Sequence, residues 1–180
     1  MKVKLIAALG NPGKKYESTR HNVGFMILDH LAEQFSASFI VEQKWSVATA
    51  AFDLGETRVI LAKPQTFMNN SGEAISAVKN FFKIANADIL VVHDEIDLPL
   101  GKIRMSFDAS DAGHNGVKSI IEQIGQDFHR LRIGVDGRQS RLDMDTHDYV
   151  LQNFTTEEED ALKTKILPEA QGEIKKFIGY

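Results

Sequence analysis

Val3-Lys4-Leu5-Ile6-Ala7-Ala8-Leu9 runs directly into Gly10-Asn11-Pro12-Gly13 and then into Lys14-Lys15-Tyr16-Glu17-Ser18-Thr19-Arg20-His21-Asn22-Val23-Gly24-Phe25. The first seven residues are apolar except for Lys4 and read as a short strand. Asn-Pro-Gly is a turn with a mechanism: Pro12 fixes φ and Gly13 tolerates positive φ. From Val23 to about Phe35 the apolar residues recur at helical spacing. Strand, turn and helix in that order open an α/β fold. A loop that leaves a strand end is where such folds place their chemistry. This one carries His21 between Arg20 and Asn22, a combination that no core position requires.

Working outward, Ser46 to Phe52 and Thr57 to Lys63 read as strands joined by a short turn at Gly55, hence antiparallel. Ala74, Ile75, Val78, Phe81 and Phe82 share a helical period, with Phe81 and Phe82 read as core and Asn70 and Glu73 as a capping pair. Asp88 to Val92 has the continuous apolar character of a strand buried on both faces. Lys102 to Phe107 reads as a strand, Val117 to Ile124 as a helix and Leu131 to Val135 as another buried strand. Two helices close the chain, with Pro168 in the first turn of the second. The fold class expected is α/β: one domain over residues 1–180, with a twisted, mixed, mostly parallel central β-sheet flanked by helices on both faces.

Composition narrows the function. The 180 residues suffice for a sizeable core, and 43% hydrophobic with 26% charged residues is ordinary for a globular protein. There is no cysteine, which excludes disulfides, thiolate metal sites and a cysteine nucleophile and fits a reducing cytoplasm. The apolar run Leu5 to Leu9 is too short for a signal peptide or a membrane span. Net charge is −4, which argues against a protein that coats nucleic acid. The acidity is uneven, however. Residues 1–141 hold 17 Lys and Arg against 16 Asp and Glu, whereas residues 142–180 hold 4 against 9. Lys14, Lys15 and Arg20, and Arg130, Arg132, Arg138 and Arg141, are therefore candidate basic faces.

Polar residues gather where the apolar elements end. Asn11, Tyr16 and His21 follow the first strand; Gln65-Thr66-Phe67-Met68-Asn69-Asn70 follow Pro64; His93-Asp94-Glu95-Ile96-Asp97 follow Val92; and His114-Asn115 precede the Val117 helix. The inventory is histidines, acids and amides, with no side-chain nucleophile in a recognised setting. That suits hydrolysis by activated water. A histidine takes the proton, a carboxylate on its other nitrogen fixes the tautomer, and asparagine amides orient water or donate to an oxyanion. Structural roles are open for each residue: His21 as a packed or capping group, Asp94 and Asp97 as turn formers, Asn69 and Asn70 as helix caps, His114 and Asn115 as a helix start. A metal site from His93, Asp94 and Asp97 lacks the usual ligand spacings, and no nucleotide-binding glycine motif is present.

These segments, together with His129-Arg130-Leu131-Arg132-Ile133-Gly134, resemble the bacterial peptidyl-tRNA hydrolases over nearly the whole chain. The resemblance implies cleavage of the ester between a peptide and the 3′ end of tRNA. It implies His21 as general base, Asp94 as the carboxylate that keeps it basic, and Asn69 as the group that polarises the ester or holds water. It implies Asn11 as selector of N-blocked substrate, Tyr16, Phe67, Asn69 and Asn115 as substrate contacts, and Met68 and His114 as cleft lining. Arg132 matches a basic position for tRNA phosphate. The partner implied is peptidyl-tRNA, with no membrane, no metal, no organic cofactor, and a monomeric cytoplasmic enzyme. The chain departs from the family before Gly113, where a glycine-rich run with a basic residue is usual. Here Arg104 to Ala112 includes Asp108 and Asp111, and Ser106 stands at the basic position. A tRNA- or peptide-binding relative with little turnover is the alternative reading.

Overall fold

A computed structural model describes residues 1–139 and 144–180. One seven-stranded sheet forms the centre: β1 (Lys2–Ala8), β2 (Ile40–Glu42), β3 (Val47–Leu54), β4 (Thr57–Pro64), β5 (Ile89–Pro99), β6 (Ile103–Phe107) and β7 (His129–Asp136). Their order is β2-β3-β4-β1-β5-β7-β6. The central four, β4, β1, β5 and β7, run parallel, and β2, β3 and β6 add antiparallel edges. The sheet is mixed, as the Gly55 turn predicts, with parallel pairing confined to its middle.

Helices cover both faces. Residues alternate along β1, so Leu5, Ala7 and Leu9 face one core and Ile6 and Ala8 the other. The first core is closed by α2 (Ser71–Phe82) and α3 (Asn115–Ile124). The second is closed by α1 (Val23–Gln34), α4 (Thr146–Val150) and α6 (Leu167–Ile178), with α5 (Thr156–Ala161) outside the cluster. Each fully buried Leu or Ile in these layers contributes about 1.5–3 kcal/mol. A π-helical turn, Leu162–Ile166, joins α5 to α6, and Pro168 sits in the first turn of α6 as expected. No helix among the described residues is long and apolar enough to cross a membrane.

Several local expectations are corrected. β5 does not stop at Val92; it continues through His93, Asp94 and Glu95 to Pro99, because β7 pairs with it as far as Glu95 and again at Pro99. Asp94 is therefore a strand residue, not a loop residue. Asn70 occupies the cap position of α2 but makes no capping bond; Ser71 instead donates its hydroxyl to the Met68 carbonyl. Phe81 is 61% exposed and packs on Trp45, leaving only Phe82 against the core.

The chain moves from β1 to the β2–β4 side of the sheet and then crosses to β5 on the other side. The gap beyond the carboxyl ends of β1 and β5 is the switch point of the topology, where open α/β sheets bind ligands. Gly24 makes the approach close enough to matter. A Cβ there would lie 2.5 Å from the Val92 carbonyl oxygen. Its absence lets the start of α1, and with it His21, lie against β5.

Candidate active site

His21 belongs to a short 3-10 turn, Arg20–Asn22, between β1 and α1. Its Nδ1 lies 2.9 Å from each carboxylate oxygen of Asp94, which is 73 positions away. Asp94 is 3% exposed. Burial alone would raise its pKa, but the two histidines beside it outweigh that and hold the carboxyl well below the usual range. It is therefore an anion at any working pH. An anion accepts hydrogen, so Nδ1 of His21 donates and Nε2 carries the lone pair. Burial disfavours a charged His21, while the Asp94 charge and hydrogen bond favour it; the net effect raises the pKa above the ordinary 6.5.

A second histidine completes the cluster. His114 caps α3, its Nδ1 accepting from the Gly116 and Val117 amides at 3.1 and 3.3 Å. Its Nε2 lies 2.8 Å from Asp94 Oδ1. His93, fully buried, donates Nδ1–H to the Asp94 carbonyl at 2.6 Å. Burial, and then the neighbouring His114, push its pKa well below 6.5, so it is neutral. His21, Asp94 and His114 have ligand atoms within 4.8 Å of one another. They do not fit a metal ion, because His114 already uses Nδ1 as its acceptor and so presents a hydrogen, not a lone pair, on Nε2.

The cluster opens into a cleft of about 440 Å³. His21, Asp94, His114 and Asn115 line it together with Asp145, His147 and Val150 of α4 and its cap. The α4 residues escaped sequence reading. The available signal was Asp145 as a helix cap, and its carboxylate does accept from the His147 amide at 2.9 Å.

The other expected site residues lie around this centre. Asn11 is 8% exposed; its Oδ1 accepts from the Met68 amide at 3.0 Å, and its backbone pairs in both directions with the Asn22 side chain at 2.9 Å. It thus locks the first loop to the segment carrying Phe67, Met68 and Asn69. It lines a neighbouring cleft of about 410 Å³ with Lys14, Lys63 and Gln65, not the cleft of His21. Met68 is buried, Tyr16 half-buried, and Phe67, Asn69 and Asn115 are exposed.

The basic faces are corrected. Arg20 is buried, its Nη2 2.6 Å from Glu158. Arg130 is buried. Arg138 is bound to Asp136 through Nε at 2.9 Å, and Arg132 to Glu95 through Nε at 3.0 Å. Arg141 lies outside the described residues. Lys14 and Lys15 remain exposed. Asp111, one of the two aspartates in the departing loop, accepts from the Gly113 amide at 2.6 Å through its carboxylate and turns the chain into α3. Ala112 follows with φ of 51°, a left-handed conformation that costs a non-glycine residue about 1 kcal/mol.

The family model described as peptidyl-tRNA hydrolase matches residues 5–179. The peptidyl-tRNA hydrolase of Rickettsia bellii is 46% identical over 154 residues, which is 86% of this chain and 82% of that protein. That of Lactiplantibacillus plantarum is 45% identical over 157 residues, 87% of this chain and 83% of the relative. The crystal structure of peptidyl-tRNA hydrolase from Acinetobacter baumannii superposes with a TM-score of 0.84 at 32% identity, covering 98% of this chain and 93% of that one. The order of motifs around His21, Asp94 and His114 and the near-complete overlap lead to one conclusion: the chain belongs to the peptidyl-tRNA hydrolase family.

Proposed function

We propose that the protein hydrolyses the ester between an N-blocked peptide and tRNA, with His21 as general base, and so returns tRNA released prematurely from translation. The observation that carries this reading is the 2.9 Å contact between His21 Nδ1 and the buried Asp94 carboxylate, which leaves Nε2 as a base in the cleft. Nε2 takes a proton from water as the water oxygen attacks the ester carbonyl. The tetrahedral intermediate collapses by breaking the bond to the ribose oxygen, and the imidazolium returns the proton to that leaving group. A free peptide carboxylate and an intact tRNA result. Asn69 polarises the ester or holds the water, Asn11 distinguishes blocked from free amino groups, and Tyr16, Phe67, Met68, His114 and Asn115 bound the substrate. Arg132, on β7, is paired with Glu95 through Nε but keeps its side chain 24% exposed, and through that part it offers hydrogen-bond donors to phosphate. The lack of cysteine suits a cytoplasmic enzyme.

The test is release of N-acetyl-amino acid from N-acetyl-aminoacyl-tRNA, with unblocked aminoacyl-tRNA as control, across pH 5–9. His21 must be neutral to act as a base. Its raised pKa therefore places the acid limb of kcat/KM above pH 6.5, with activity lost as pH falls through it. Tight tRNA binding without turnover would establish the binding relative instead. A limb below 6.5 would count against His21.

A further inference from the structure

The carboxylate that orients His21 has a second partner whose state is fixed from outside the site. His114 Nδ1 accepts two amide hydrogens from the first turn of α3, at 3.1 and 3.3 Å. A neutral imidazole has one acceptor nitrogen, so Nε2 must carry hydrogen and donate to Asp94 Oδ1 at 2.8 Å. We propose that His114 is a positioning residue that pins the Asp94 carboxylate and divides its charge between two N–H donors, tempering the base at His21. The proposal rests on the reading of His21 as that base.

Two physical points support it. The first-turn amides of α3 fix the orientation of the His114 ring through Nδ1. With Nδ1 taken up by those two amides, the Nε2–H of His114 is directed at Asp94 Oδ1. A carboxylate with two donors also stabilises either one less than a carboxylate with a single donor would. Without His114, more of the Asp94 charge falls on His21, and the imidazolium becomes harder to discharge.

The geometry leaves little freedom. His21 and His114 have ring centroids 5.1 Å apart, and His93 stacks edge-on to His114 at 4.8 Å. His93 faces the group from β5 as a buried neutral ring. The cleft is also lined by Glu95, Asp97, Asp145 and His147, with Glu95 bonded to Arg132. Substituting His114 leaves all of these in place.

Two variants separate positioning from folding. His114→Asn keeps a side-chain oxygen suited to capping α3 but cannot reach Asp94. His114→Gln can return an N–H to Asp94 while capping poorly. The titration of His21 is followed by its ring proton resonance, assigned by comparison with His21→Gln, and kcat/KM is measured over the same pH range. In His114→Asn the His21 midpoint is expected to rise by about one pH unit, the size of one hydrogen bond's net contribution. Its kcat/KM near pH 7 is expected to fall about 10-fold, as when an outer hydrogen-bond partner is removed. His114→Gln is expected to bring the midpoint back toward the wild type, despite a lower thermal midpoint. A purely structural His114 would change thermal stability and leave the His21 midpoint in place, and that result in both variants overturns the proposal. A midpoint that moves while the activity profile does not would uphold the positioning and remove His21 as the base.

Discussion

His21→Ala is expected to lower kcat/KM for N-acetyl-aminoacyl-tRNA by about 10²–10⁴-fold, the contribution of a positioned general base. The loss should fall on kcat. His21 is one wall of a cleft whose other walls, Asn115, Ile96 and Val150, remain. Asp94→Asn is expected to approach the same loss by a different route. Its amide would keep the shape of the carboxylate but offer one oxygen to two N–H donors. Because His21 Nδ1 lies 2.9 Å from both carboxylate oxygens, the NH2 group faces it whichever way the amide turns, and that contact favours the opposite tautomer, with its lone pair on Nδ1 and a hydrogen where the base should be. Steady-state kinetics with the blocked substrate at pH 7.5 and circular dichroism on each variant check this. Full turnover by His21→Ala would end the mechanism, whatever the fate of Asp94→Asn.

The parts of this site that are legible in the sequence are those carried by local pattern. The strand–turn–helix unit from Val3 to Gln34 follows from periodicity and from Pro12 and Gly13, and it delivers His21 to a strand end. The partnership of His21 with Asp94 follows from residue chemistry and family resemblance, and the fold brings them together because β1 and β5 are parallel neighbours. What local pattern does not yield depends on tertiary pairing. His93 to Asp97 resemble a polar loop, yet β7 pairs with His93, Asp94 and Glu95, and the run is strand through to Pro99. The arginines resemble exposed basic faces, yet Arg20, Arg132 and Arg138 each meet a carboxylate, two of them from distant segments. His114 resembles an ordinary helix start, and it is one; the same ring also serves Asp94, because its two nitrogens point to different elements.

Arg20→Met is expected to destabilise the fold by about 3–5 kcal/mol, the cost of leaving one partner of a buried ion pair alone. Arg20 is 3% exposed. Its Nη2 meets Glu158 at 2.6 Å, its Nη1 donates to the Tyr149 and Gln152 carbonyls at 3.3 and 3.4 Å, and its guanidinium lies 4.2 Å from the Tyr149 ring centre. Two further donors to Glu158, the Tyr149 hydroxyl at 3.4 Å and the Thr155 amide, are neutral and do not replace that charge. Glu158 is committed to α5, accepting from the Thr155 amide at 2.8 Å in a capping box. Removing Arg20 therefore strands a buried carboxylate and loosens the cap together. At a few degrees per kcal/mol for a chain of this size, the thermal midpoint should drop by roughly 10 °C. Arg20→Met/Glu158→Leu should recover part of the loss, since an apolar pair of similar volume leaves no uncompensated charge; the double-mutant cycle then gives the coupling directly. The effect reaches function because of where the pair sits. His21 is the next residue, the Arg20 amide bonds to the Gln152 carbonyl at 3.0 Å, and Thr19 bridges to Asn153. Tyr149 and Val150 belong to α4, whose His147 and Val150 line the cleft. One buried arginine thus ties the loop of the base to α4 and α5. In Arg20→Met, kcat/KM measured well below the new midpoint should fall while the His21 titration midpoint stays near wild type, because Asp94 and His114 are untouched. A single variant as stable and as active as the wild type would show that the backbone contacts alone hold the two sides of the cleft together.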